Sequence, residues 1–239
     1  MVSSQPPPPP PDPENQHLSL TSFHILLRSN MLPKPRSLTT HQETHTPSLF
    51  SPTRPPITTL LIGDSMFERF KTTGIHTRIA QSGSQTFNAG VGGDKVENVL
   101  YRLDLGLLDL LSKQDEKIKI CIVMVGTNNL GKKTPLKVDK YRLLVQALLR
   151  ISDRVLCCEI FKRKDIEYSV VEESNRMLRE MIGDVNTNLK DERVRWLEAP
   201  PEIGMERLVD HVHLDEEGYG IWDKVLWERI EGERVGMES

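Results

Sequence analysis

The sequence predicts an α/β fold, a three-layer α/β/α arrangement around a mostly parallel sheet. Apolar runs of strand length alternate with stretches of helical periodicity from residue 57 onward, and Gly-, Asp- and Asn-containing turns follow several of the strands directly. Alternation of this kind, with short links, requires right-handed crossovers that cover both faces of the sheet.

The first strand is read at Ile57 to Ile62, a β-branched and apolar run closed by Gly63, as a strand buried on both faces demands. A polar, helix-like segment follows from Met66 to Thr72. Thr86 to Asn88 forms a short second strand ahead of the glycine-rich Gly90 to Gly93. Val96 to Leu111 repeats apolar residues at helical spacing, at Val96, Val99, Leu100, Leu103, Leu107 and Leu110. Ile118 to Val125 is the third and most hydrophobic strand. Leu136 to Ile151 reads as helix, Arg154 to Ile160 as strand, Val171 to Ile182 as helix and Val194 to Leu197 as the fifth strand. A terminal helix runs from about Glu216 to Ile230, and no internal repeat is visible.

The flanks read differently. Residues 1–56 begin with a proline run and continue with Ser, Thr, His and Pro, a composition that buries too little apolar surface to offset chain ordering. This predicts a disordered tail, a folded domain over 57–232 and a short C-terminal tail over 233–239. The proline run could serve as a weak polyproline ligand for a partner protein, and Met31 offers an alternative start of translation.

With 239 residues and a formal net charge of −3, the chain holds no long-range field for a polyanion, so nucleic acid is not an expected partner. No apolar stretch approaches the ~20 residues of a membrane span, and no positively charged start precedes a hydrophobic segment. Cys121, Cys157 and Cys158 lie in apolar strand-like runs, with Cys157 and Cys158 directed to opposite faces. They read as reduced core thiols of a cytoplasmic protein.

In open parallel sheets the site lies at the carboxyl ends of the strands. Gly63-Asp64-Ser65, Gly92-Gly93-Asp94 and Gly126-Thr127-Asn128-Asn129 all fall there. Ser65 begins a helix, which makes it either an N-cap or a nucleophile. A serine nucleophile needs a base. Of the seven histidines, His17, His24, His41 and His45 fall in the expected tail, leaving His76, His211 and His213. His213 is the best placed, because Asp210 three residues earlier can hold its second ring nitrogen. The same Asp210-His211-Val212-His213 stretch also reads as a polar loop, or as metal ligands with Asp215, although no further Cys or His is spaced to complete a metal site. The Ser65 and Gly93 amides and the Asn128 side chain form a natural set of donors for a developing oxyanion. Taken singly, Gly90 to Gly93 is explained by a tight turn and Asn128 by a loop cap. The run Gly90 to Lys95 matches neither phosphate-binding glycine pattern, and the G-x-S-x-G elbow is absent around Ser65.

Together, Gly63-Asp64-Ser65, the Asn88 to Asp94 stretch, Gly126-Thr127-Asn128-Asn129 and Asp210-His211-Val212-His213 resemble, in order, the blocks of the SGNH (GDSL) hydrolase family. Within it the sequence is most similar to the branch formed by the catalytic subunits of platelet-activating factor acetylhydrolase isoform IB. That branch shares the Gly-Asp-Ser-Met start, the Val-Leu-x-Arg-Leu helix, Gly-Thr-Asn-Asn, His213-Leu214 and Gly218-Tyr219. The resemblance implies a flavodoxin-like sheet of order 2-1-3-4-5 and a serine esterase acting on a small ester, short-chain acyl or acetyl. It assigns Ser65, Asp210 and His213 as the triad and Ser65, Gly93 and Asn128 as the oxyanion hole, with Asp64, Gly92 and Asn129 shaping the site. It implies no metal or organic cofactor, and homodimerisation by analogy. A non-catalytic scaffold or an acyltransferase with the same triad are the alternatives. Lys95, Glu97 and Leu130 to Lys133 depart from the branch's pattern, which leaves the substrate open.

Overall fold

The computed structural model describes residues 19–51, 54–83, 85–114 and 116–238. Five strands, β1 (Thr59–Gly63), β2 (Thr86–Gly90), β3 (Ile118–Met124), β4 (Ser152–Cys158) and β5 (Val194–Leu197), form one sheet of order 2-1-3-4-5. Every pairing is parallel, with Leu61 of β1 facing Asn88 on one side and Ile122 on the other. The expected architecture and strand order are therefore observed.

The helices in chain order are α1 (Leu20–Asn30), α2 (Pro35–Thr40), α3 (Thr46–Leu49), α4 (Ser65–Glu68), α5 (Arg78–Gln81), α6 (Val96–Arg102), α7 (Leu108–Ser112), α8 (Asp139–Leu149), α9 (Tyr168–Leu189) and α10 (Glu216–Glu238). Successive strand residues point to opposite faces, and this divides the core in two. Leu60, Ile62, Cys121, Val123, Val155 and Cys157 pack under α1, α6, α8 and α9. Leu61, Ile120, Ile122, Met124, Leu156 and Cys158 pack against α4, α5 and α10, where Phe67 stacks on Trp222 at 5.3 Å. All three cysteines are buried and free. No helix among the described residues is long and apolar enough to cross a membrane.

The helix read as continuous over 96–111 is broken by a wide turn at Leu103–Leu107, where Gly106 takes φ 114°, a conformation that favours glycine. Asp104 in that turn and Asp109 just beyond it grip His24 of α1, at 2.8 and 3.1 Å.

That contact belongs to the largest departure from the sequence expectation. Within the expected tail, residues 20–30 and 35–49 are helical and share the domain's core: Phe23 and Leu27, one helical turn apart, are fully buried. Average composition hid this because the few apolar residues sit at helical spacing among polar ones. Pro35, moreover, occupies the first turn of α2, where its missing N–H breaks no bond. The proline run at residues 6–11 lies outside the described residues. The C-terminal tail expected over 233–239 also differs, since α10 continues to Glu238. Glu233, 4% exposed, holds Arg154 of β4 and Arg195 of β5 at 3.1 and 3.2 Å.

His45, in the turn before α3, is completely buried edge-on to Phe87 of β2, and neither ring nitrogen has a hydrogen-bond partner among the described residues. Burial, with the Arg102 guanidinium second, pushes its pKa down to about 2 from 6.5. Below pH ~6.5 the unfolded chain takes up a proton that the folded chain refuses. The contribution of His45 to stability is therefore undiminished above that pH and falls as pH drops through the window down to about 2, at up to ~1.4 kcal/mol per pH unit. Urea titrations of the parent and His45→Phe across pH 7 to 4 should diverge with this slope, because the oppositely signed contribution of buried Asp64, whose pKa burial raises to about 7, is common to both. A difference between the two proteins that stays constant with pH would contradict the assignment.

Candidate active site

Gly63 ends β1 so close to β3 that a Cβ there would meet the Met124 carbonyl oxygen at 1.9 Å, so only glycine fits. Asp64 then starts α4: its Oδ1 accepts the Met66 N–H at 2.9 Å, a helix cap. The Asp64 carboxyl is fully buried, Oδ2 has no partner among the described residues, and burial, with Asp94 adding to it, pushes the pKa up to about 7. These two residues set Ser65 as the first residue of α4, 9% exposed at the carboxyl edge of the sheet.

The second component lies on the loop before α10. Asp210 Oδ1 accepts the N–H groups of Val212 and His213, both at 2.8 Å, which folds the loop back on itself. Its Oδ2 lies 2.6 Å from His213 Nδ1, and His213 Nε2 lies 2.8 Å from Ser65 Oγ. Partial burial alone would raise the Asp210 pKa, but His213 and the two backbone donors outweigh it and hold the carboxyl below the usual range. An ionised carboxylate only accepts, so it selects the tautomer with the proton on Nδ1 and leaves Nε2 as the acceptor toward Ser65. The loop is fixed by the Leu208–Leu214 bridge and by α10, whose Tyr219 hydroxyl donates to the Met66 carbonyl at 3.0 Å.

The third component is a pair of loops fastened to each other. Gly93 adopts φ 72°, and the Asp94 N–H closes the turn on the Val91 carbonyl. After β3, Gly126 (φ 125°) opens a short turn over Thr127–Asn129. Asn128 donates one amide hydrogen to the Asp94 carbonyl at 3.0 Å, which leaves its second for a ligand. Asp94 itself is fully buried beside Arg102, whose Nε donates to it at 2.9 Å. The rest of that guanidinium donates to the Ala89 and Gly63 carbonyls at 2.7 and 3.1 Å. One cation thus ties together the ends of β1 and β2 and the glycine loop.

The structure brings Ser65, His213 and Asp210 into one hydrogen-bonded line and sets Gly93 and Asn128 on the adjoining loops. Asp64 directly precedes Ser65 with its carboxyl on the Met66 amide, and Gly92 presents its carbonyl to Lys34 at 2.7 Å. Asn129, expected to shape the site, accepts the Val96 N–H at 3.0 Å and donates to Glu97 at 2.8 Å, so it caps α6 and fastens the Asn128 turn to the helix that follows the glycine loop. His211 is solvent-exposed, and its carbonyl accepts the Lys164 N–H at 2.9 Å. Among the described residues no three His, Cys, Asp or Glu side chains cluster as metal ligands. Sequence reasoning did not assign Arg102 or Lys34. An arginine in a helix normally reads as solvent-facing, and the only signal for Arg102 was its place in the Val-Leu-x-Arg-Leu block.

A three-layer α/β sandwich with a serine, an imidazole and a carboxylate aligned at the carboxyl ends of its strands has the architecture and site geometry of the serine-hydrolase class. The match to known proteins narrows this further. Residues 61–221 match the model of the GDSL-like lipase/acylhydrolase family, and the chain belongs to that family. The alpha1 subunit of platelet-activating factor acetylhydrolase IB from Bos taurus is 26% identical over 167 residues, covering 67% of this chain and 69% of that one. Among solved structures, a "putative platelet activating factor" from Streptococcus pneumonia superposes with a TM-score of 0.57 at 16% identity, over 89% of this chain and 99% of that one. A GDSL-like lipase from Bacteroides thetaiotaomicron gives 0.56 at 13% identity, over 81% and 98%.

Proposed function

We propose that this chain is a carboxylic ester hydrolase that works through an acyl-enzyme on Ser65. The observation that carries the reading is the continuous line from Asp210 through His213 to Ser65, with contacts of 2.6 and 2.8 Å. Ser65 Oγ attacks the ester carbonyl while His213 Nε2 accepts its proton, and Asp210 stabilises the resulting imidazolium. The tetrahedral oxyanion is received by the Ser65 and Gly93 amides and the free hydrogen of Asn128. His213 then hands its proton to the departing alcohol. In the second half water attacks the acyl-enzyme, giving its proton to His213, and the acid leaves as Ser65 regains its hydrogen. The short connections between the site loops support short acyl groups, acetyl above all, as substrates.

Two measurements test this. A fluorophosphonate probe should modify Ser65 alone, as located by mass spectrometry, and a graded p-nitrophenyl ester series should favour the acetyl and propionyl members. An unlabelled, correctly folded protein would defeat the proposal and favour a non-catalytic scaffold. Asn128→Ala should lower kcat by ~10²–10³, and an unchanged kcat would remove Asn128 from the oxyanion hole.

A further inference from the structure

The segment ahead of the family-matched region reaches back into the site. From Leu32 to Ser37 the chain runs across the start of α6 and the glycine loop, and it is fastened at several points. The Leu32 N–H donates to the Glu97 carbonyl at 3.0 Å, and the Leu32 carbonyl accepts from Asn98 at 2.7 Å. Ser37 donates to Asp94 Oδ1 at 2.6 Å, and Arg36 pairs with Glu68 of α4 at 2.8 Å. Between these anchors Lys34 Nζ donates to the Gly92 carbonyl at 2.7 Å and to Asp94 Oδ1 at 3.1 Å. The ammonium lies against the open side of Gly93, 3.2 Å from where a Cβ would stand.

We propose that Lys34 is a positioning residue for the oxyanion hole, an element of the site supplied from outside the family-matched residues 61–221. The peptide between Gly92 and Gly93 carries both the carbonyl that Lys34 holds and the amide assigned to the oxyanion. Because that peptide is planar, fixing its oxygen fixes the direction of its N–H. The other partners in the cluster do not do this. Arg102 and Ser37 bind the Asp94 side chain, and Asn128 binds the Asp94 carbonyl, all one residue further on. Without Lys34, the Gly92–Gly93 peptide, flanked by two residues with no Cβ, is free to rotate its amide away from the reacting oxygen. Misplacing a donor on that scale lowers kcat while leaving ground-state binding nearly unchanged.

This inference rests on the esterase proposal, and the test separates the two. Lys34→Met in the full chain should lower kcat for p-nitrophenyl acetate ~10- to 100-fold with KM within about two-fold, while Lys34→Arg, which restores a cationic donor, should recover most of the loss. Lys34→Gln, whose shorter side chain does not bring its amide to the Gly92 carbonyl, should lower kcat ~five-fold or more, and decides the matter if the methionine variant does not fold. Folded Lys34→Met or Lys34→Gln protein with the parent's kcat would overturn the role of Lys34 and leave the esterase proposal standing. Parent protein that neither hydrolyses esters nor takes the fluorophosphonate label at Ser65 would remove both.

Discussion

Ser65→Ala is expected to lower kcat for p-nitrophenyl acetate by ~10⁴–10⁶-fold, with a thermal midpoint within a few degrees of the parent. The size follows from the geometry: Ser65 Oγ lies 2.8 Å from His213 Nε2, the ring nitrogen that would take its proton. Without it no acyl-enzyme forms, and neither the imidazole nor the oxyanion donors can compensate. Groups that act as one unit are not additive. His213→Ala should therefore cost nearly as much as Ser65→Ala, and the double variant scarcely more than either. Losses that multiply in the double variant would mean that the two residues act independently, against the hydrogen-bonded line. Stability should respond little, because Asp64 rather than Ser65 caps α4.

The second large effect concerns the fold. Phe23→Ala should destabilise the protein by ~3–5 kcal/mol, as loss of a buried phenyl ring does elsewhere. Phe23 is fully buried in the core cluster that also holds Leu100, Leu103 and Leu107, and the Arg150 guanidinium lies over its ring at 4.4 Å. Chemical denaturation should give a single transition at a lower midpoint with an unchanged m-value, because α1 and the sheet share one core. A variant as stable as the parent would show that residues 20–49 are an appendage. As a control, Ile25→Ala on the exposed side of the same helix should change stability by less than ~0.5 kcal/mol.

The contrast between these two predictions shows what the sequence could and could not convey. The sheet was readable because central parallel strands such as Ile118–Met124 are apolar on both faces, a local signal that long-range contacts do not alter. The convergence of Ser65, Asp210 and His213 could be anticipated because the proposed chemistry requires those residue types at those turns. The partner of Asn129 was not legible, since nothing local shows that its amide caps a helix 33 residues earlier. Residues 20–49 were missed for a similar reason. Their apolar content is low, and what orders them is long-range: His24 on Asp104 and Asp109, Lys34 on the glycine loop and His45 on Phe87. The bend at Gly106 was not legible either, because it left the apolar periodicity of its helix intact.

Gly63 faces the Met124 carbonyl, and Asp64 caps α4. The first two members of the Gly-Asp-Ser signature thus answer to architecture, and the third alone answers to the proposed chemistry. A descendant that abandoned catalysis would keep the glycine and the aspartate under selection for folding, while its serine drifted freely. Surveys that take the opening dipeptide as a badge of activity would therefore count retired enzymes among working ones. The hydroxyl and the imidazole 148 positions downstream are the pair to score.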